Sequence, residues 1–358
     1  MVKKVLIALL IVLVLLILLV GGYVAYLFID FHRIPDDQAL TASTAGAAAL
    51  PAGEELGVVS WNIGFGAYSA DFTFFMDGGT ESRAFSKEAC EENVNAVIEK
   101  LSAWKDELML IQEVDFDSDR SRHVDQRKMF EATFPEYSAV FAQNYDSSYF
   151  IYPVNKPIGA AKSGVLTLSG AQIGDAVRRS LPIEGGINKF FDLDRCYSVS
   201  SIPVSDGRTL KLYNVHLSAY SSDGSIAREQ LALMAQEMAA DYAAGSYVIA
   251  GGDFNQDLWG DSGAYSGVTG VDASWCKPFP AELLPEGFTL VNSLDEENLV
   301  LSSRNTNIPY KRGESFEATL DGFIVSDNVQ VRSCTIVDTA YANTDHNPVR
   351  MRFVLGGA

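Results

Sequence analysis

Apolar runs in this chain stop at polar side chains of a restricted kind: Asn62, Glu113, Asn214 with His216, Asp253 with Asn255, and Asp321; a late loop adds Asp345-His346. Strand ends place side chains along one rim of a sheet, so residues as remote in sequence as Asn62 and His346 can converge there. The chain has 4 histidines, and two of them fall in this set. Carboxylates, amides and imidazoles with no thiolate among them suit a hard divalent cation held through oxygen rather than structural zinc. Such a cation can assist hydrolysis of an anionic ester, a phosphoester for example. A phosphodiester repels hydroxide, so a cation must neutralise charge and activate water or the leaving oxygen. Mg²⁺ keeps several waters and needs few protein carboxylates, and one Glu with weaker ligands complements it. An amide and a protonated imidazole donate hydrogen bonds where negative charge grows.

Each residue alone has an ordinary explanation. Asn62 before Gly64 is a turn former, Asp253 and Asn255 are strand caps, Asp321-Gly322 is a turn, and Asp345 is an N-cap or Asx-turn residue before Pro348. Glu113 reads as a solvated strand end and His216 as a satisfied buried histidine. Their joint occurrence is what carries the functional reading.

The elements that must position them alternate. Residues 57–63, 108–111, 164–168, 196–204, 209–217, 247–250, 319–325, 330–336 and 349–355 read as strands. Residues 86–104 carry Val94, Val97, Ile98 and Leu101 at helical spacing behind Ser86 as N-cap, and 123–134 and 225–244 read as further helices. Ser205-Asp206-Gly207-Arg208 joins two strands as a hairpin. Strands outnumber helices and both are interleaved, which predicts packed sheets with helices outside.

Residues 5–29 hold no charge and are almost solid Leu, Val and Ile, with Lys3 and Lys4 before them. Such a run is long enough to cross a bilayer, and the positive flank predicts a cytoplasmic N-terminus with the catalytic region outside. A cleaved signal peptide has a shorter apolar core, of about 7–15 residues, so a retained anchor over 1–30 is favoured. Residues 31–55, rich in Ala, Thr and Ser, read as a flexible stalk, and 56–358 as the catalytic domain. Cys90, Cys196, Cys276 and Cys334 form no CxxC pair, leaving disulfides or buried thiols open. A net charge of −19 opposes the basic footprint of a nucleic-acid binder.

In order along the chain, Trp61-Asn62, Gln112-Glu113, Asn214-Val215-His216, Gly252-Asp253-Phe254-Asn255, Leu320-Asp321-Gly322 and Thr344-Asp345-His346 resemble the motif series of the endonuclease/exonuclease/phosphatase superfamily over roughly residues 56–355. The resemblance implies a four-layer α/β sandwich, two face-to-face mixed sheets flanked by helices, and a Mg²⁺-dependent phosphoester hydrolase for which Mn²⁺ can substitute. It implies Glu113 as the main metal ligand with Asn62 and Asp345 close to the metal, and Asp253 as the residue that orients or deprotonates water. Asn255 then holds a phosphoryl oxygen, Asp321 and His346 form a carboxylate–imidazole pair, and His216 with Asn214 faces the phosphate. His216-Leu217-Ser218-Ala219 and Arg228-Glu229-Gln230 are similar to the sphingomyelinase and DNase branches more than to the 5-phosphatase branch.

Arg83, Arg122, Lys162 and Arg195 are candidates for a distal phosphate or headgroup, Arg195 ahead of the others, while Gly170 stands where many relatives carry Arg or Lys. Phe72, Phe74, Phe75 and Met76 form either a substrate-facing loop or a satellite core. The expected activity is that of a membrane-anchored phosphodiesterase acting on lipid headgroups, small organic phosphates or nucleic-acid fragments, with no protein partner expected. An extracellular nuclease and a non-catalytic binding module are the alternatives.

Overall fold

The computed structural model describes every residue except 191, 220–223, 270–272, 274, 294–298 and 357–358. It divides into two units, 1–33 and 34–358. The first is α1 (Val2–Asp30), 29 residues long, or about 43 Å at the α-helical rise. It is long and apolar enough to cross a membrane or to act as a signal sequence.

The first half of the second unit contains β1 (Gln38–Leu40), β2 (Glu55–Asn62), α2 (Lys87–Trp104), β3 (Leu108–Asp115), α3 (Gln126–Thr133), β4 (Ser138–Asp146), β5 (Lys162–Ser169) and β6 (Ala176–Ser180). Next come β7 (Cys196–Pro203), β8 (Thr209–His216), α4 (Ser225–Ala243), β9 (Tyr247–Asp253) and α5 (Ser262–Ser266). The chain closes with β10 (Phe288–Val291), β11 (Ser303–Arg304), β12 (Glu317–Ala318), β13 (Asp321–Ser326), β14 (Val329–Ile336) and β15 (Val349–Leu355).

One sheet runs β14-β15-β2-β3-β5-β4 and the other β1-β6-β7-β8-β9-β13-β10, with β11-β12 as a small ribbon. Each large sheet is mixed. The pairs β2–β3 and β8–β9 are parallel, which requires a crossover, and α2 and α4 supply it. Alternation along the strands sorts side chains into layers. Val58, Leu108 and Leu110 from one sheet meet Leu212, Ile249 and Phe323 from the other in the central core. Their neighbours Val59, Met109 and Ile111 face outward onto Val94, Val97, Ile98 and Leu101 of α2. On the far side Tyr213, Val215 and Val248 face outward onto Leu231, Met234 and Met238 of α4. The layers are therefore helix, sheet, sheet, helix, as the motif order implied. Ser86 caps α2 by accepting the Ala89 N–H at 3.1 Å.

Two expectations change. The segment expected as a flexible stalk is packed from residue 34 onward: β1 pairs antiparallel with β6, Ala47 bridges Ala171, and Leu50 is 2% exposed in the central core. Small residues serve close backbone approach here, not flexibility. Gly46 has φ +98°, and a Cβ there would lie 2.7 Å from the Ala171 backbone. The helix expected over 123–134 starts later, at Gln126, with Asp125 as its cap. All four cysteines are free thiols, Cys90 and Cys196 fully buried. Replacing Leu50 by Ala is expected to cost about 2–5 kcal/mol in denaturant unfolding of the domain; an unchanged midpoint would restore the stalk.

Candidate active site

The alternation that builds the core also delivers the polar rim. Following Leu56 and Val58 inward along β2 gives Ser60 and Asn62; following Leu108 and Leu110 along β3 gives Gln112; following Leu210 and Leu212 along β8 gives Asn214 and His216. Register then aligns them across strands. His216 is opposite Asp253 on the parallel neighbour, and Asp253 is opposite Asp321 on the antiparallel one. Three catalytic-type side chains thus stand abreast at one end of the second sheet.

Glu113 arrives differently. A bulge interrupts β3–β5 pairing between Ile111 and Val114, and Glu113 takes φ +54°. This left-handed conformation is uncommon for a non-glycine residue, and a bulge re-aims the side chain it contains. Asn255 is also left-handed, at φ +51°. Gly252 has no alternative: a Cβ there would lie 2.0 Å from the Val215 carbonyl oxygen.

Asn62 ties the two sheets together. Its Nδ2 donates to Glu113 Oε1 at 3.2 Å and to Asp253 Oδ2 at 3.0 Å, and its Oδ1 accepts the Gly64 N–H at 3.0 Å. Asp253 Oδ2 also lies 3.7 Å from His216 Nε2 and 3.8 Å from His346 Nε2. His346 Nδ1 donates to Asp321 Oδ2 at 2.8 Å, an arrangement that fixes its tautomer. Asn255 donates its backbone N–H to Asp253 Oδ1 and its Nδ2 to the Leu217 carbonyl, both at 2.8 Å.

The two imidazoles are driven apart electrostatically. Burial, then the charges of Arg195 and His346, hold His216 well below its ordinary value, so it is neutral. Burial also opposes charge on His346, but Asp321 and then Asp253 outweigh it, and this imidazole sits well above its ordinary value. Burial and the Asp321 carboxylate push Asp253 up to about 7. Burial, reinforced by Glu113, pushes Asp345 up to about 6.

These groups border one cleft of about 500 Å³, lined among others by Glu113, His216, Asp253, Asn255, Asp345 and His346. Asn62, Asn214 and Asp321 lie behind that surface, each 0–1% exposed. Asn214, expected to face the phosphate, has its amide committed elsewhere. Nδ2 donates to the Leu166 carbonyl at 3.0 Å, and Oδ1 accepts Gln112 Nε2 at 2.8 Å. Of the four basic candidates Arg195 lines the cleft and Arg83, Arg122 and Lys162 do not; Gly170 is also remote from it. The Phe-rich loop serves both expected roles: Phe72 is buried in a satellite core, while Phe74 and Met76 reach the cleft wall.

Sequence reasoning missed Ser302, Ser303 and Arg304. The Ser302 hydroxyl donates to Asp321 Oδ2 at 2.7 Å and accepts the Leu320 and Asp321 N–H groups. Ser303 Oγ lies 3.3 Å from His346 Nε2. Arg304 lines the cleft almost fully buried. Its Nη2 donates to the Ser69 and Phe72 carbonyls, and among the described residues no carboxylate lies within ion-pair distance of it. Buried Arg120, by contrast, forks onto Asp115 through two bonds of 3.1 and 2.9 Å. Ser302 precedes the two-residue strand formed by Ser303 and Arg304, and so short an element leaves no periodicity to read.

The donor chemistry suits a hard cation on one side of the cleft. Asp253, Asp321 and His346 have ligand-type atoms within 4.8 Å of one another. Yet His346 favours its protonated form and spends Nδ1 on Asp321, and a protonated imidazole is no ligand. Glu113 and Asp345 offer carboxylate oxygens to the cleft, and Asp345, raised by burial and by the neighbouring Glu113 charge, gains from a divalent cation.

Two facing mixed sheets with helices outside, and a carboxylate–imidazole floor at the strand ends, define a hydrolase fold of the phosphoesterase class. The chain belongs to the Endonuclease/Exonuclease/phosphatase family, whose sequence pattern matches residues 59–340. Among solved structures it is similar to an endonuclease/exonuclease/phosphatase from Beutenbergia cavernae DSM 12333, at 14% identity and TM-score 0.56 over 85% of this chain and 72% of that one. The human Nocturnin catalytic domain, solved with bound sulfate, matches at 15% identity and TM-score 0.53 over 88% and 98%. D. rerio TDP2, complexed with a single-strand DNA product, matches at 13% and 0.54 over 84% and 99%. At such identities the likeness concerns the fold. No curated protein matches this chain.

Two outcomes test the geometry. Asp321→Asn should lower the His346 pKa, read from imidazole NMR shifts against pH. The stability that pair contributes is full below the ordinary histidine value and lost as pH rises through the raised one. Asn214→Ala should destabilise the domain by about 1–3 kcal/mol through the unpaired Gln112 amide and Leu166 carbonyl left behind.

Proposed function

We propose that this chain is a divalent-metal-dependent phosphoester hydrolase, most suited to phosphodiesters, held on a membrane by α1 with its catalytic domain outside the cytoplasm. The observation that carries the reading is the single cleft bordered by Glu113, Asp253, Asp345, His216 and His346. Glu113 and Asp345, with Asn62 orienting Glu113, would hold the ion, Mg²⁺ or Mn²⁺. That ion, when bound, supplies charge neutralisation and activation of water or the leaving oxygen.

The chain's own residues supply the rest. Asp253, held by Asn62 and the Asn255 N–H, accepts a proton from an attacking water. A raised carboxylate makes a better base near neutral pH than an ordinary one. Protonated His346, held by Asp321 and Ser302, donates a hydrogen bond to the phosphoryl group as its charge grows. Neutral His216 and the Asn255 side chain line the same wall and orient the phosphoryl oxygens. The two histidines therefore divide the work, one by charge and one by position.

The acidic surface argues against long polynucleotides as the preferred substrate. Occupancy of all the polar positions argues against a module that has lost its chemistry. Lys3 and Lys4 before the span support a cytoplasmic N-terminus.

Bis-p-nitrophenyl phosphate should be cleaved with Mg²⁺ or Mn²⁺ and not with EDTA, and Glu113→Gln should lower the rate by at least about 100-fold. Cleavage that persists in EDTA with the same Glu113→Gln rate removes the metal reading. Protease added to intact cells should degrade the catalytic domain; full protection reverses the orientation.

A further inference from the structure

The loop that carries Asp345 and His346 is held at both ends by one atom of a neighbouring segment. Tyr341, before it, donates its phenol to the Leu301 carbonyl at 2.7 Å, and Asn347, after it, donates Nδ2 to the same oxygen at 2.9 Å. Tyr341 is 1% exposed and does not border the cleft. Its backbone is left-handed, at φ +49°, as is that of Ala340 at +51°. A bulky residue persists in that region only where its surroundings over-determine it. They do so here. The Tyr310 ring meets the Tyr341 ring edge-on with centroids 4.7 Å apart. Burial, then the Glu317 charge, hold the phenol well above its ordinary value, so it remains a donor.

The two donors converge beside Ser302. The Asn347 N–H donates to the Ser302 carbonyl at 2.6 Å, so the carbonyls on both sides of the Ser302 Cα are fixed. Asn347 is fixed in turn, because its Oδ1 accepts the Thr339 N–H at 2.9 Å and the Thr339 hydroxyl at 2.7 Å. A backbone held on both sides gives the Ser302 hydroxyl one aim, the Asp321 Oδ2 atom, which also accepts from His346 Nδ1 at 2.8 Å. The path closes on itself: it runs from His346 to Asp321, from Asp321 to Ser302, and from Ser302 to Asn347, which follows His346 in the chain.

We propose that Tyr341 is a positioning residue of the site: through Leu301 and Ser302 its phenol holds the Asp321–His346 pair where His346 reaches a phosphoryl group. The proposal rests on the phosphoester reading for what His346 does, and adds a residue that touches neither substrate nor ion. Removing the phenol oxygen leaves Asn347 as a donor to the Leu301 carbonyl, so no acceptor is orphaned and the fold loses little. The Leu301 carbonyl is then restrained by one donor instead of two, and the aim of the Ser302 hydroxyl loosens. A misplaced donor to the transition state is felt in the rate more than in substrate binding.

Tyr341→Phe tests this, since it keeps the ring and deletes one oxygen. In the full chain with Mg²⁺ it should lower kcat on bis-p-nitrophenyl phosphate by about five- to tenfold with KM unchanged. Leu50→Ala, in the central core, should lose more stability yet keep kcat. Ser302→Ala should lower kcat at least as much as Tyr341→Phe, and the double variant should be no slower than Ser302→Ala alone, because both act along one path. The low-field Nδ1 proton resonance of His346 should shift in Tyr341→Phe and stay in place in Leu50→Ala. Losses that multiply in the double variant overturn the proposal, as does a kcat loss that tracks lost stability in both Tyr341→Phe and Leu50→Ala. An unchanged kcat and resonance in Tyr341→Phe overturns it too. A wild-type chain that cleaves no phosphoester with any divalent cation counts against the phosphoester reading instead, and the resonance then decides the positioning by itself.

Discussion

Two sheets packed face to face bury everything between them, so any polar side chain in that layer must find a partner within it. This constraint organises the molecule. Over most of the layer apolar side chains such as Val58, Leu110, Ile249 and Phe323 fill the gap, with small hydroxyls such as Ser198 and Ser200 among them. At one end it is met by pairing amides: Gln112 to Asn214 and Asn62 to Asp253 across the sheets, and Asn62 to Glu113 within one sheet. These bonds hold the sheets in mutual register at the candidate site. Gly251 allows the close approach, since a Cβ there would meet Phe323 at 2.5 Å and Leu110 at 2.8 Å.

The same burial sets the charge states. His216 and His346 lie on either side of one Asp253 oxygen, yet their surroundings differ. His346 has Asp321 bound to its ring and Asp345 next to it in sequence; His216 has Arg195 nearby and a buried Nδ1 with no hydrogen-bond partner among the described residues. Two identical side chains are given opposite protonation preferences by a few neighbouring groups. Ser302 extends the effect, because its hydroxyl donates to the same Asp321 oxygen that holds His346.

Much of this was legible in the sequence where long, regular elements carry the residues. Every strand bearing a motif was recognisable from its apolar run, and helix α2 from its spacing and its Ser86 cap. What stayed hidden has physical causes. Asn214 sits one alternation step from His216, on the same face, and period two alone does not say which of them reaches solvent. Residues 38–50 look like a linker because Ala, Gly and Thr are common in linkers; here small side chains permit bridging to Ala171 and burial of Leu50. Arg304 belongs to an element of two residues, and its importance is a matter of what surrounds it.

The left-handed backbone at Glu113 sets chain geometry against side-chain chemistry. Glycine adopts φ +54° without strain, whereas glutamate at that dihedral is disfavoured by about 1 kcal/mol or more. Selection acting on stability by itself would therefore drift toward glycine at this position and erase the carboxylate in a single step. Glutamate at this bulge thus accepts backbone strain in return for a carboxylate at the cleft wall.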